Sequence, residues 1–324
     1  MGGPGALAGH GMTSFILKRI FATFVVMAVV AVFVFGMLHF APGDPAAIIA
    51  GDLATTEDVD QIREKLGLNL PLPQQFWLWI SSLAVGDLGR SIFSDLPVAS
   101  LIEQRIEPTL ALTTTTIVFA VLVAVPLGIL AAWKAGSLLD RLVMGFAVLG
   151  FSMPVFVFAY ILIWVFAAKL QLLPVMGYVS IFEDPAGFCR SMVMPTLALG
   201  VTYIALIARI TRASMLEAIN QDYIRTAYAK GASIFSILFR HALRNASVPI
   251  VTTIGIGIAL LIGGVVVTES VFAIPGLGRL TVDAILRRDY PVIQGVILIF
   301  SGVYVLINLI IDITYTMLDP RIRY

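Results

Sequence analysis

Residues 248–271 read VPIVTTIGIGIALLIGGVVVTESV, with one ionisable side chain, Glu269, close to the end of the run. A helix rises about 1.5 Å per residue, so roughly 20 apolar residues cross about 30 Å of hydrocarbon. This stretch is long enough, and few soluble cores would enclose so continuous an apolar run. Working outward, five more runs of this kind stand at Ile20–Ala41, Leu110–Trp133, Leu142–Ala168, Met192–Ala208 and Val292–Leu318. The expected fold is therefore an all-α polytopic membrane protein with about six transmembrane helices.

Composition agrees. The 324 residues are 59% hydrophobic and 13% charged with mean hydropathy +0.97, whereas soluble domains lie near a quarter charged. A net charge of +1, with the bases dispersed, gives nucleic acid nothing to bind. Cys189 is the lone cysteine, so no internal disulfide forms. His10, His39 and His241 are too scattered for a local metal site, and His39 reads as a packed histidine. The sequence has no Gly-x-x-x-x-Gly-Lys-Ser/Thr loop, so this chain is not expected to hold ATP. Neither clustered metal ligands nor a nucleophile–base pair suggests an intramembrane enzyme.

Lys18 and Arg19 precede the first apolar run, which is too long for a signal-peptide core and has no small-residue cleavage site before Pro42; it reads as a retained span. The Gly-rich leader before Met12 reads as a disordered extension or an early start. With the N-terminus cytoplasmic, Lys18, Arg19, Lys134, Arg141, Arg209, Arg212, Arg225, Lys230, Arg240, Arg244, Arg321 and Arg323 fall inside, more than half of the chain's 21 Lys and Arg. Both termini are expected inside. The organisation expected is a leader over 1–19, a first span at 20–41, an outer loop at 42–108, a membrane domain at 109–318 containing an inner loop at 209–247, and a tail at 319–324. The outer loop holds a polar helical stretch at Thr56–Leu66 and a Trp77/Trp79 pair suited to the membrane interface.

The inner loop carries the most specific pattern. Asp222-Tyr-Ile-Arg-Thr-Ala-Tyr-Ala-Lys-Gly231 predicts a helix whose end needs a left-handed residue, supplied by Gly231. Ser233 then caps a second helix with Ile234, Ile237, Leu238 and Ala242 on one face, ending in His241-Ala-Leu-Arg-Asn245. An amphipathic helix lying on lipid headgroups is the plain physical alternative.

Together, the two stretches resemble the cytoplasmic signature of binding-protein-dependent importer permeases, specifically the peptide and nickel branch. Tyr228 departs from that branch, where Arg is commoner. The resemblance continues through Pro42-Gly43-Asp44-Pro45, Leu66-Gly67-Leu68-Asn69, Gly86-Asp87-Leu88-Gly89-Arg90-Ser91, Pro275-Gly276-Leu277-Gly278, Arg288-Asp289-Tyr290-Pro291 and the closing Asp319–Tyr324. It implies a type I ABC importer permease in a bacterial inner membrane. It also implies a second homologous permease subunit, two ATP-binding-cassette ATPase subunits carrying ATP and Mg, and an extracytoplasmic substrate-binding protein; this chain itself needs no cofactor. The ATPase-coupling residues so implied are Asp222, Tyr223, Arg225, Thr226, Ala227, Tyr228, Ala229, Lys230, Gly231 and His241. The expected cargo is a short peptide, with a nickel chelate, glutathione or a sugar as alternatives.

Within the spans, Glu269 is costly to bury without a partner, and either lines a path or binds a backbone donor in the Pro275–Gly278 turn. Asn308 and Asp312 stand four apart on one helical face that meets protein or water. Gly255, Gly257, Gly263 and Gly264 predict close helix approach, and Pro154 a kink in the third span. An ion-coupled carrier, the alternative of a different class, would place charges centrally and show inverted repeats, and neither is evident.

Overall fold

A computed structural model describes residues 6–40, 44–50, 54–65 and 67–318. In chain order its α-helices are α1 (Ala6–Phe40), α2 (Pro45–Ala50), α3 (Thr56–Lys65), α4 (Leu72–Ala84), α5 (Val98–Trp133), α6 (Leu138–Ser152), α7 (Val155–Leu162), α8 (Pro185–Ile219), α9 (Asp222–Ala229), α10 (Leu243–Val271), α11 (Leu277–Arg287) and α12 (Tyr290–Leu318). Two π-helical segments, Ile163–Lys169 and Ser236–Ala242, extend α7 and precede α10. Among the described residues the β structure is one isolated bridge, Arg90 to Pro97.

Five helices are long and apolar enough to cross a membrane, six if one bent pair counts as a span. All five follow expected runs, with ends that reach further. The first begins at Ala6, so the leader from that residue is helical rather than disordered. The second begins at Val98, inside the segment expected as outer loop, and carries Pro108 within it. The fourth runs through Arg209 to Ile219, and the fifth helical run starts at Ser236. The last residues of the chain, Asp319–Tyr324, and Pro42, Gly43, Leu66 and the side chains of His10 and His39 lie outside the described residues.

The third run is the main difference. Leu142–Ala168 is not one rod: α6 and α7 with its π extension meet at 104°. Pro154 starts the second arm with φ −58° and drives Met153 to an extended ψ of 125°. The residue before a proline avoids the helical region, so the helix ends there and restarts in a new direction. Hydropathy cannot see this, because both arms are apolar.

The chain forms two compact units. One comprises residues to Ile106 with Leu280–Leu306. In it Asp289 accepts from the Ser91 hydroxyl at 2.5 Å and the Ile92 N–H at 3.2 Å, joining two motifs far apart in sequence. Gln294 donates to the Val34 carbonyl at 3.1 Å. Arg63 pairs with Asp44 and Asp60, and hydrogen bonding to Asp44 holds the guanidinium above its usual range.

The other unit comprises Glu107–Arg279 with the end of α12. Its centre is α8, which packs against α6, α7 and α10. The apolar window of α8 is 72% buried against 11% for that of α1, which marks α8 as core and leaves α1 largely exposed in this chain. Of the four glycines of α10, a side chain on Gly264 would meet Leu199 at 2.6 Å and one on Gly255 would strike Ile311, while one on Gly257 would reach Tyr203 at an ordinary contact distance of 3.4 Å. Gly263 faces open space within this chain.

Candidate functional site

The segment between α8 and α10 is a short helix and a turn, built almost wholly from local chemistry. Asp222 opens α9, where a carboxylate favours the exposed N–H groups of the first turn. At the other end the Gly231 N–H donates to the Tyr228 carbonyl at 2.9 Å and the Ala232 N–H to the Ala227 carbonyl at 3.2 Å. That crossed pair is the Schellman termination, and it requires a left-handed residue between the helix and its continuation. Gly231 has φ +75°, and nothing lies within 4 Å of where a Cβ would stand. Glycine is needed here for its backbone, not for its size.

Ser233 then accepts from the Ser236 N–H at 3.3 Å and caps the next helix. That helix enters α10 through the π-helical turn Ser236–Ala242. Ile237, Leu238 and Ala242 are buried, but Ile234 is 46% exposed and does not share their face. The wider π turn rotates the residues that follow it away from the register of an ordinary helix, so the predicted stripe loses its first member.

The side chain that fixes α9 is Ile224, 1% exposed, seated among Met215, Ala218, Ile237, Leu238, Ala242 and Ile129. It is the only aliphatic residue larger than alanine in the octet DYIRTAYA. That single large aliphatic side chain is a signal legible in the sequence. Around this anchor every other residue of α9 except Ala227 is exposed. The side chains of Asp222 and Arg225, 94% and 79% exposed, pair at 3.3 Å. Tyr223 and Tyr228 are exposed, as are Thr226, Ala229 and Lys230, whereas Ala227 packs partly against the anchor cluster. Phe235 and Phe239 stack at 4.5 Å beyond the turn, both exposed, and His241 is half-buried.

A rigid mount lies behind this surface. Asp140 at the start of α6 takes two hydrogen bonds from Arg212 of α8, at 2.5 and 2.8 Å, and one from the Gly136 N–H at 2.9 Å. The fork-to-fork geometry fixes two helices with one pair. Sequence reading counted Arg212 as a loop cation; its partner lies 72 residues away and leaves no local trace.

At the far end of α10, Glu269 is fully buried. Its Oε1 accepts from the Thr109 hydroxyl at 2.6 Å and its Oε2 from the Arg279 N–H at 3.0 Å. Thr109 in turn accepts from the Leu277 N–H at 2.8 Å. A Cβ on Gly276 would overlap the Glu269 carboxylate, and one on Gly278 would meet the Val266 Cα at 2.6 Å. The two glycines let the turn wrap round a carboxylate. Asn308 and Asp312 are half-buried on α12. The candidates from Asp222 to Gly231 thus lie on α9 and its closing turn, His241 follows in the π-helical segment, and Glu269 stands at the other end of α10.

No group of three metal-ligating side chains occurs among the described residues.

The chain matches the family described as "Binding-protein-dependent transport system inner membrane component" over residues 124–324. It matches that family's N-terminal counterpart over residues 12–113. It is 54% identical over 97% of its length to all of a probable peptide ABC transporter permease of Sinorhizobium fredii. It is 44% identical, again over 97%, to a putative peptide transport system permease of Brucella abortus. The glutathione transport system permease GsiC of Escherichia coli is 43% identical over the same share. Among solved structures, the MetNI methionine ABC transporter in inward-facing form aligns with TM-score 0.57 at 20% identity, covering 68% of this chain and 97% of that one, a likeness of fold. The chain belongs to the inner-membrane components of binding-protein-dependent transport systems: it is a permease subunit of an ABC importer, a transporter part and not an enzyme.

Proposed function

We propose that this permease imports a short peptide by alternating access, and that α9 is the piece through which separate ATPase subunits move it. The observation that carries the reading is the division of α9 into one sealed side and one open side. Ile224 locks the helix to α8 and to the start of α10, so a push on α9 reaches two membrane-crossing helices without loss. Around the anchor, the exposed side chains of Tyr223, Arg225, Tyr228 and Lys230 are offered to a protein groove. Desolvating two tyrosines there gives affinity, and the flanking charges give register.

The partners so proposed are a second related permease, two ATPase subunits holding ATP and Mg, and a substrate-binding protein on the other side. Both termini then lie in the cytoplasm with α9. The energetic requirement is that ATP favour the closed motor dimer over the open one, since a ligand shifts a two-state equilibrium only by its differential affinity. The peptide cargo rests on the relatives named for peptide transport at 54% and 44% identity. Glutathione, itself a small peptide, is the second reading, from the 43% relative named for it.

A cysteine at Ala229, exposed at the end of α9, in a Cys189→Ser background should crosslink to an ATPase subunit in the assembled transporter. Ala227 is a poorer site, because it packs inward. Gly231→Val should leave ATP hydrolysis running while uptake falls, because a β-branched residue resists the left-handed conformation. Full coupling in that variant, or no crosslink from Ala229 while uptake stays ATP-dependent, overturns the assignment.

A further inference from the structure

Helix α4 has the wrong surface for a loop in water. Its 13 residues carry no charge, none is buried, and Leu72, Trp77 and Leu78 are more than half exposed, Trp77 at 71%. At 100° per residue Trp79, Leu83, Phe76, Ile80, Pro73, Ala84 and Trp77 fall on one arc, and Gln74, Ser81, Ser82 and Gln75 on the other. Leu78 stands among the polar group.

Only part of the apolar arc is covered. Phe76 and Trp79 pack on Phe35 of α1 at ring-centroid distances of 5.2 and 5.7 Å. Phe35 lies inside the apolar window Lys18–Met37 of α1, about 8 Å from the helix end at Phe40. That contact sets the level of α4: it lies where the hydrocarbon of the crossing helix gives way to headgroups. Beyond the contact the arc continues to Trp77 and Ala84, which no described residue covers: both are exposed. Indole favours this boundary, with its ring in hydrocarbon and its N–H toward water.

We propose that α4 is a membrane-surface helix, lying along the interface at the Phe40 end of α1 with Trp77 and Ala84 in the acyl boundary and the Gln74 side in water. The occupant of the uncovered arc is lipid. A second permease subunit or a docked binding protein would instead exclude lipid from it. The helix then tethers the polar α3 at membrane level, and its burial scales with apolar area rather than with lipid charge.

The test places nitroxide labels on single cysteines at Trp77, Ala84, Gln74 and Leu78, in the full-length Cys189→Ser chain purified with its associated subunits and reconstituted in lipid nanodiscs. Collision with oxygen, which enters hydrocarbon, is compared with collision with a water-soluble nickel chelate. The expected oxygen-to-nickel ratio is several-fold higher at 77 and 84 than at 74 and 78. Ala84→Cys barely alters the surface, so it reports even if Trp77→Cys loosens the helix. Equal nickel access at all four sites places α4 in water and overturns the proposal. So does shielding of 77 and 84 from both reagents, which would assign the arc to a protein partner.

Discussion

Helix α9 and helix α10 end in the same backbone motif with different residues at its critical position. After α9 the left-handed residue is Gly231, at φ +75°. After α10 it is Ala273, at φ +51°, with the Ile274 N–H bonded to the Glu269 carbonyl at 2.9 Å in the place where Ala232 bonds Ala227. A Cβ in this conformation costs about 1–2 kcal/mol. The end of α10 tolerates that cost because its neighbours are sealed: Phe272 is 2% exposed, Ile274 is fully buried, and Glu269 holds the turn through Thr109 and Arg279. The end of α9 has one large buried side chain, Ile224, behind it and exposed residues around it, so the backbone must be right with little tertiary help. One terminus is enforced by tertiary contact, the other by local chemistry.

The largest effect expected from this difference is at Gly276. Its alanine would overlap the Glu269 carboxylate, so the turn must open or the carboxylate must leave its donors. Overpacking costs typically about 1–3 kcal/mol, and each buried donor left without a partner about 1–3 more. Gly276→Ala should therefore lower thermal stability of the detergent-solubilised protein sharply, and Glu269→Ala should do so comparably. The double variant should be much less harmful than the sum, because the clash disappears with the carboxylate. Additive losses would show that the two do not share a site.

Ile224→Ala comes next. Truncating a buried isoleucine costs about 2–5 kcal/mol in a well-packed core, but here the loss falls on one short helix. The expected outcome is local: hydrogen exchange across residues 222–231 should rise strongly while the α8–α10 core stays protected. In the assembled transporter, uptake per ATP hydrolysed should fall. Uniform loss of protection would mean that α9 is as integral to the fold as the Glu269 turn, and the contrast between the two ends would collapse.

These two places also differ in how far they could be read in advance. Asp222, Gly231 and Ser233 act on backbone within a few residues of themselves, so their roles are written in local order. The crossing helices are legible for a similar reason, since hydropathy is summed over a window. Glu269 named its own difficulty, a carboxylate in an apolar run, but its partner Thr109 stands 160 residues away. Ser91 and Asp289 were each noticed as parts of motifs, and nothing in either motif says that they meet across 198 residues. The 104° bend at Pro154 was legible as a kink and not as a turn of direction, because the angle is set by packing of α6 and α7 on α8. Ile234 was misplaced because a π turn changes the period on which the face was drawn.

The smallest effects are the most discriminating, and they come as an exchange. Gly231→Ala adds a Cβ into open space, so it tests backbone strain alone, and should cost α9 about 1 kcal/mol, read as faster exchange at the Ala232 amide. Ala273→Gly relieves the same strain at the other terminus but gives back about 0.4–1 kcal/mol through the looser unfolded chain. The net should be a slight stabilisation, about 0.5 kcal/mol, within the reach of careful melting curves. If Ala273→Gly instead destabilises by more than the glycine entropy, the alanine methyl is itself a packing element. The α10 terminus would then be shaped by what touches position 273 as well as by what surrounds it. A clear gain would mean that the Glu269 turn carries its strain at a standing cost, with tertiary contact overriding the residue preference that the end of α9 obeys.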